Sequence, residues 1–373
     1  MPRQVPLCRP SIGPAEVQAV VEALTSGWLT QGDQNVRFEE EFARLVGVEH
    51  AVSMNSCTSA LEAALQASGI RGEVVVPSFT WVATANAVVN AGAVPVFCEV
   101  DPPTRNVTAA TVAARLTALT EAVIVVHYGG QVCAMDELVE LCRARGLLLI
   151  EDSAETIGAT WRGRQAGSFG VGCFSFFPTK NITTAEGGML VCHDGQLAAR
   201  VRSLAAHGID ATLPRPAARP WWRAASLAGH NYRMPNPLAA LGRVQLSRLQ
   251  EMNGQRRRLA ARYDAELGGL ASLDLPVVRD GATHVYQMYT VEAIASARDA
   301  LVERLRAHGV GAGVHFDPPV HEHPYYQRHG QTVSLPATEA LARRILTLPL
   351  YPEMTDDDQE WVIARLGEAL ADG

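Results

Sequence analysis

Residues 73–100, EVVVPSFTWVATANAVVNAGAVPVFCEV, hold one full period of an alternating pattern. EVVVP is a short apolar run of strand length, VATANAVVNAG has helical spacing and ends at Gly92, and VPVFCEV is apolar again. The pattern extends both ways. Upstream, HAVSM reads as a strand and SALEAALQA as a helix; downstream, AVIVVHY, MDELVELCRARG (closed by Gly146) and LLLIED read as strand, helix and strand. Strands without polar alternation are buried on both faces, so the expected fold is α/β, a mostly parallel sheet flanked by helices. Such sheets gather ligands at the carboxyl ends of their strands. Asn55, Ser56, Ser78, Trp81, His127, Asp152 and Lys180 all stand at such ends.

At 373 residues the chain is longer than one core usually serves, which predicts two domains. With 47% apolar and 19% charged residues it has material for a sizeable core, and disorder is excluded. A net charge of −7 speaks against nucleic-acid and anionic-membrane partners. The run Arg256, Arg257, Arg258 falls on a helical pattern and reads as a solvated face. Seven cysteines without a C-x-x-C pair suit free thiols in a reducing compartment. The start MPRQVPLCRP lacks the apolar core of a signal peptide, and runs such as AVIVV are too short to span a bilayer, so a cytoplasmic protein is expected.

From Pro237 the pattern changes. Leu238, Leu241, Gln245, Leu249, Met252, Leu259 and Tyr263 fit one helical stripe, expected to form a single spine between domains. HVYQMYTVEA, ALVERLRAHG and GVGAGVHF then read as two strands around a helix, a smaller α+β domain. The expected division is a large domain at 12–245 and a small one at 246–373, with residues 1–11 packing on the small one. Asp210 to Gly229, rich in Pro, Arg and Trp, reads as a long loop.

One lysine stands out. In FSFFPTKNITTAEGGML (174–190), Lys180 follows an apolar strand and has no acidic neighbour before Glu186. An ammonium led into apolar surroundings is driven toward its neutral form, and a neutral amine is the nucleophile that forms Schiff bases, often with pyridoxal phosphate. The bland alternative is a snorkelling lysine with its head in water. A pyridoxal phosphate site needs a carboxylate for the ring nitrogen, and Asp152, where a buried strand gives out 28 positions earlier, qualifies; an N-cap is the competing role. It needs backbone N–H groups for the phosphate, and MNSCTSALEAAL supplies a strand, a turn and a helix start. Plain capping by Asn55 or Ser56 would look the same. Ser175 adds a hydroxyl, and Trp81 is an aromatic for the ring face unless it is a core residue.

Together NSCTSALEAAL, PSFTWVATANAVVNAGAVPVF, VHYGGQVCAMDEL, EDSAETIGA, GSFG, FSFFPTKNITTAEGGM, GHNYRMPNPLAALGRVQL, GVHFDPPVHEHPYY and LPATEALARRILTLPLYPEMT resemble the DegT/StrS family of sugar aminotransferases, pyridoxal phosphate enzymes of fold type I, over nearly the whole chain. The resemblance implies that Lys180 binds the coenzyme aldehyde and moves the proton, that Asp152 pairs with the ring nitrogen and that Trp81 covers the ring. It implies that Cys57 (through its backbone), Thr58 and Ser175 hold the phosphate. Asn231 would reach the phosphate of the other subunit, making a homodimer with composite active sites. The implied substrates are an amino-acid donor, glutamate or glutamine, and a keto sugar, expected to be a nucleotide-linked 4-keto-6-deoxy or 3-keto hexose.

Two positions depart from the family pattern. Glu155 stands near the cofactor's phenolic oxygen where many members carry Gln, and Ala185 stands where G-E-G-G is usual. An alanine matters there only if the backbone needs a positive φ. His321 matches a family histidine on the substrate side. His315, His321, His323 and His329 find no carboxylate or cysteine at ligand spacing, so no metal is expected. Arg215, Arg219 and Arg223 have the chemistry to grip a diphosphate, or simply belong to a solvated loop. Three other functions fit less well. Sugar dehydratase relatives carry histidine in place of the lysine, cysteine desulfuration needs a late cysteine beyond Cys192, and a non-catalytic member would have lost competent site residues.

Overall fold

The computed structural model describes residues 3–210, 213, 217–219, 221–294, 297–329 and 333–371. Its centre is a seven-stranded sheet in the order His50–Met54, Gly188–Cys192, Val171–Ser175, Leu148–Asp152, Thr120–Val126, Glu73–Pro77, Val94–Cys98. Gly188–Cys192 runs antiparallel to both neighbours, and the remaining pairings are parallel. Val74, Val75 and Val76 are all fully buried, as an apolar run without alternation requires. The helix expected after EVVVP is Ala83–Asn90; Gly92 follows its end at φ +83, a left-handed conformation that costs glycine little.

Helices pack on both faces. Cys57–Ala67 and Gly195–Ala205 cover one side with Leu61, Leu65 and Val201. Met135–Arg145 covers the other with Met135, Leu138 and Cys142.

A second, three-stranded sheet joins Leu273–Asp274, Tyr289–Ala293 and Ile345–Leu348. The helices Leu249–Leu267, Arg298–Ala307 and Asp356–Ala371 close a separate core around Tyr263, Tyr289 and Leu301. Val5 belongs to this core and pairs with Val310.

Two expectations are corrected here. The spine is two helices, Asn236–Ser247 and Leu249–Leu267, broken at Arg248 (φ −97°, ψ 0°), whose guanidinium turns away to Glu16 and Ser11. GVGAGVHF forms only isolated bridges at Val310 and Gly313, and Ile345–Leu348 takes the strand position instead. Its glycines serve close approach rather than a ladder. A Cβ on Gly309 would lie 2.1 Å from the Arg3 carbonyl oxygen, and one on Gly311 2.5 Å from Leu7 N.

Among the described residues, no helix is long and apolar enough to cross a membrane.

Candidate active site

A cavity of about 440 Å³ opens at the carboxyl ends of the parallel strands. Lys180 reaches it from the loop that links Val171–Ser175 to Gly188–Cys192. Pro178 occupies the second position of a turn in which Lys180 N–H donates to the Phe177 carbonyl (2.9 Å), bending the chain back under the cavity. Thr183 Oγ1 donates to the Phe176 carbonyl (2.8 Å) and fixes the return. Lys180 Nζ lies 3.2 Å from Glu155 Oε1, with the two side chains 15% and 8% exposed. The expectation of apolar surroundings is therefore corrected: a buried carboxylate that no sequence neighbour announced lies against the amine.

Asp152 ends the strand Leu148–Asp152, buried to 6% exposure. Its Oδ2 accepts from Thr84 Oγ1 (2.8 Å) and its Oδ1 from Ala154 N–H (3.2 Å). Burial pushes its carboxyl above the ordinary aspartate value, the bond from Thr84 opposing. A buried carboxylate with spare acceptor capacity, lining an open cavity, is suited to a cationic ring N–H. The same carboxylate and burial hold the Cys57 thiol protonated, burial being the larger cause.

The anion end is the start of the helix Cys57–Ala67. Ser56 caps it by accepting from Ser59 N–H (3.1 Å). Among the described residues the backbone N–H groups of Cys57 and Thr58 have no protein acceptor, and both residues line the cavity with Ser56 and Ser175. Gly188 lets the neighbouring strand lie against this turn, since a Cβ there would sit 2.3 Å from the Ser56 carbonyl carbon. Free N–H groups, hydroxyls and the helix dipole at one end, with a carboxylate and an amine at the other, fit pyridoxal phosphate.

The rim is aromatic. Trp81, 62% exposed, faces the cavity at 6.1 Å from Phe316, and Phe177 and Met288 complete it. His315 also lines the cavity. It makes a 2.8 Å hydrogen bond with Thr347 Oγ1, and burial holds it below the ordinary histidine value. Thr84, His315 and Gln287 were missed as site residues. Thr84 follows Trp81 by three positions, which was a usable signal; the other two arrive through distant pairing and left none.

Cys57, Thr58, Trp81, Asp152, Glu155, Ser175 and Lys180 thus share one cavity. Asn231 does not line it. Asn231 is exposed, bonded through Oδ1 to Arg233 Nε (3.1 Å) and through its carbonyl to Asn55. His321 is buried beside the cavity rather than in its lining, with Nδ1 2.6 Å from Ser78 Oγ and Nε2 3.4 Å from Glu339. Ligand atoms of His321, its neighbour Glu322 and Glu339 do lie within 4.8 Å of one another, so tertiary folding adds one carboxylate, Glu339, that sequence spacing did not. Glu339 is engaged there as a cap, accepting from Leu335 N–H (2.8 Å). Arg219 and Arg223 are exposed and outside the cavity lining, and Arg215 lies outside the described residues. Ala185 has φ +66°, so the alanine in place of glycine does sit in a left-handed conformation.

Comparison with known proteins agrees with this geometry. The sequence model of the DegT/DnrJ/EryC1/StrS aminotransferase family matches residues 10–367. The spore coat polysaccharide biosynthesis protein SpsC of Bacillus subtilis (strain 168) is 38% identical, over 98% of this chain and 97% of its own. The aminotransferase TlmJ from Streptoalloteichus hindustanus is 39% identical with a TM-score of 0.93, covering 99% of each chain. DesI, solved in the presence of its TDP-sugar product, is 35% identical with a TM-score of 0.89, covering 100% of this chain and 96% of its own.

Proposed function

The chain belongs to the DegT/DnrJ/EryC1/StrS aminotransferase family, and from that premise we propose that it carries an amino group from glutamate or glutamine to a nucleotide-linked keto sugar, a 4-keto-6-deoxy hexose or a 3-keto relative. The cofactor is pyridoxal phosphate. The observation that carries the reading is Lys180, the one lysine or arginine lining the cavity among the described residues, set between a buried aspartate and an open helix start.

Pyridoxal phosphate, when bound, supplies an electron sink for the pair released at the reacting carbon. Asp152 would keep the ring nitrogen charged. Cys57 N–H, Thr58 and Ser175 would hold the phosphate at the helix start, and Trp81 would shield the ring face from water. Lys180 would hold the coenzyme through its amine and, when free, would move a proton at the donor's α-carbon and at the sugar carbon. The likeness to DesI, which was solved with a TDP-sugar product, supports a nucleotide on the substrate, whose distant contacts would position the carbonyl.

A second copy of the chain is part of the reading. Val17, Val21, Leu24, Trp28 and Leu29 present apolar side chains 45–60% exposed along the helix Pro14–Thr25 and the turn after it. Asn231, outside its own cavity, suits a residue that serves the partner's. His321 is assigned to the substrate on the resemblance, Arg215, Arg219 and Arg223 on the pairing of guanidinium with diphosphate, and a cytoplasmic location on the free cysteines.

Borohydride reduction of the yellow protein should fix the coenzyme on Lys180; label on another residue refutes the assignment. Lys180→Ala should lower half-transamination with glutamate by roughly 10³-fold, and turnover near the wild-type rate would mean another base acts. Mixing the amine form with a panel of keto nucleotide sugars, and following the return of the aldehyde colour, tests the acceptor.

A further inference from the structure

The cavity floor holds two buried carboxylates against one ammonium, and the two are not equivalent. Asp152 takes Thr84 Oγ1 and Ala154 N–H and makes no bond to the lysine. Glu155 uses one oxygen for Lys180 (3.2 Å) and the other for Gly129 N–H (2.8 Å). Resting on the reading above, we infer that Glu155 is a positioning residue for Lys180: it pairs with the free amine and docks it on the cavity floor.

Geometry assigns that work to Glu155 alone. Gly129, at φ +66°, turns its N–H onto Glu155 Oε2, and its own carbonyl accepts from Met288 N–H (3.2 Å), next to the second sheet. The carboxylate is thus fixed by backbone on its far side, and only Oε1 is free to meet a cation. Lys180, by contrast, hangs on a long side chain and needs a partner to hold one position. An amine held against a carboxylate is masked from other electrophiles until something displaces the pair. A glutamine here would keep an oxygen for Gly129 N–H but lose the charge, which separates shape from electrostatics.

The test uses the full chain freed of coenzyme. A water-soluble carbodiimide joins a carboxylate to an amine in contact, forming an amide while the reagent takes up the oxygen and leaves as a urea. Peptide mapping of wild type should find Glu155 linked to Lys180, and addition of pyridoxal phosphate should suppress the link. A link to Asp152 instead, or none, overturns the inference. In folded Glu155→Gln, trinitrobenzenesulfonate should modify Lys180 about tenfold faster than in wild type at the same pH, and an equal rate also overturns it. Both readouts are made without turnover, so they fail independently of the aminotransferase reading, which the borohydride experiment decides.

Discussion

Glu151 and Asp152 are consecutive carboxylates on one buried strand, and the structure treats them oppositely. Glu151 is completely buried and saturated: Oε1 accepts from Phe169 N–H (2.7 Å) and Gly170 N–H (2.8 Å), Oε2 from Gly167 N–H (2.8 Å) and His127 Nε2–H (3.0 Å). His127 is fixed as that donor because its Nδ1 accepts a hydrogen bond from Cys133 N–H (3.1 Å). Asp152, on the cavity face, accepts from Thr84 Oγ1 and Ala154 N–H and only weakly from Cys57 Sγ (3.9 Å), and keeps capacity in reserve. The difference teaches how to separate a structural carboxylate from a functional one. Both are buried, but only the functional one is left wanting a cation.

The comparison breaks if the two residues respond alike to loss of charge. Asp152→Asn should lower turnover by on the order of 10³-fold, roughly 4 kcal/mol of barrier, while making the unloaded chain more stable. Its raised folded value means that, as pH climbs from about the unfolded 3.8 through that value, ionising Asp152 removes stability. Thermal melts of the asparagine variant should lose this decline. Glu151→Gln should do the reverse, costing about 3 kcal/mol of stability in urea unfolding, because an NH₂ group replaces an acceptor facing two donors. Little stability loss there would mean the saturation counts for nothing. Thr84→Val sharpens the contrast on the functional side: removal of one donor to Asp152 should cost about 1 kcal/mol and weaken coenzyme retention in dialysis. The smallest effect concerns backbone rather than charge. Ala185→Gly, relieving φ +66° in the loop after Lys180, should stabilise the chain by about 0.5 kcal/mol, read as a small rise in melting temperature.

Much of this was legible in the chain. EVVVP, AVIVVHY and LLLIED announce their strands because burial on both faces leaves no polar alternation. Lys180, Asp152 and the Ser56–Thr58 turn could be named because each sits where a local pattern stops. The break at Arg248 was not legible, since the apolar stripe continues through it and the partners of its guanidinium, Glu16 and Ser11, lie far away in the chain. Nor was the displaced strand, because three glycines read as a weak strand until the N-terminal segment is seen passing beside them.

The order of strands and helices, and the positions where reactive groups could stand, were determined by the sequence itself, because periodicity and turn chemistry act over a few neighbouring residues. Which carboxylate faces the lysine, which is locked by backbone amides and which waits for a cation was decided only by the tertiary structure. Hydrogen-bond saturation depends on donors that the chain brings from far away.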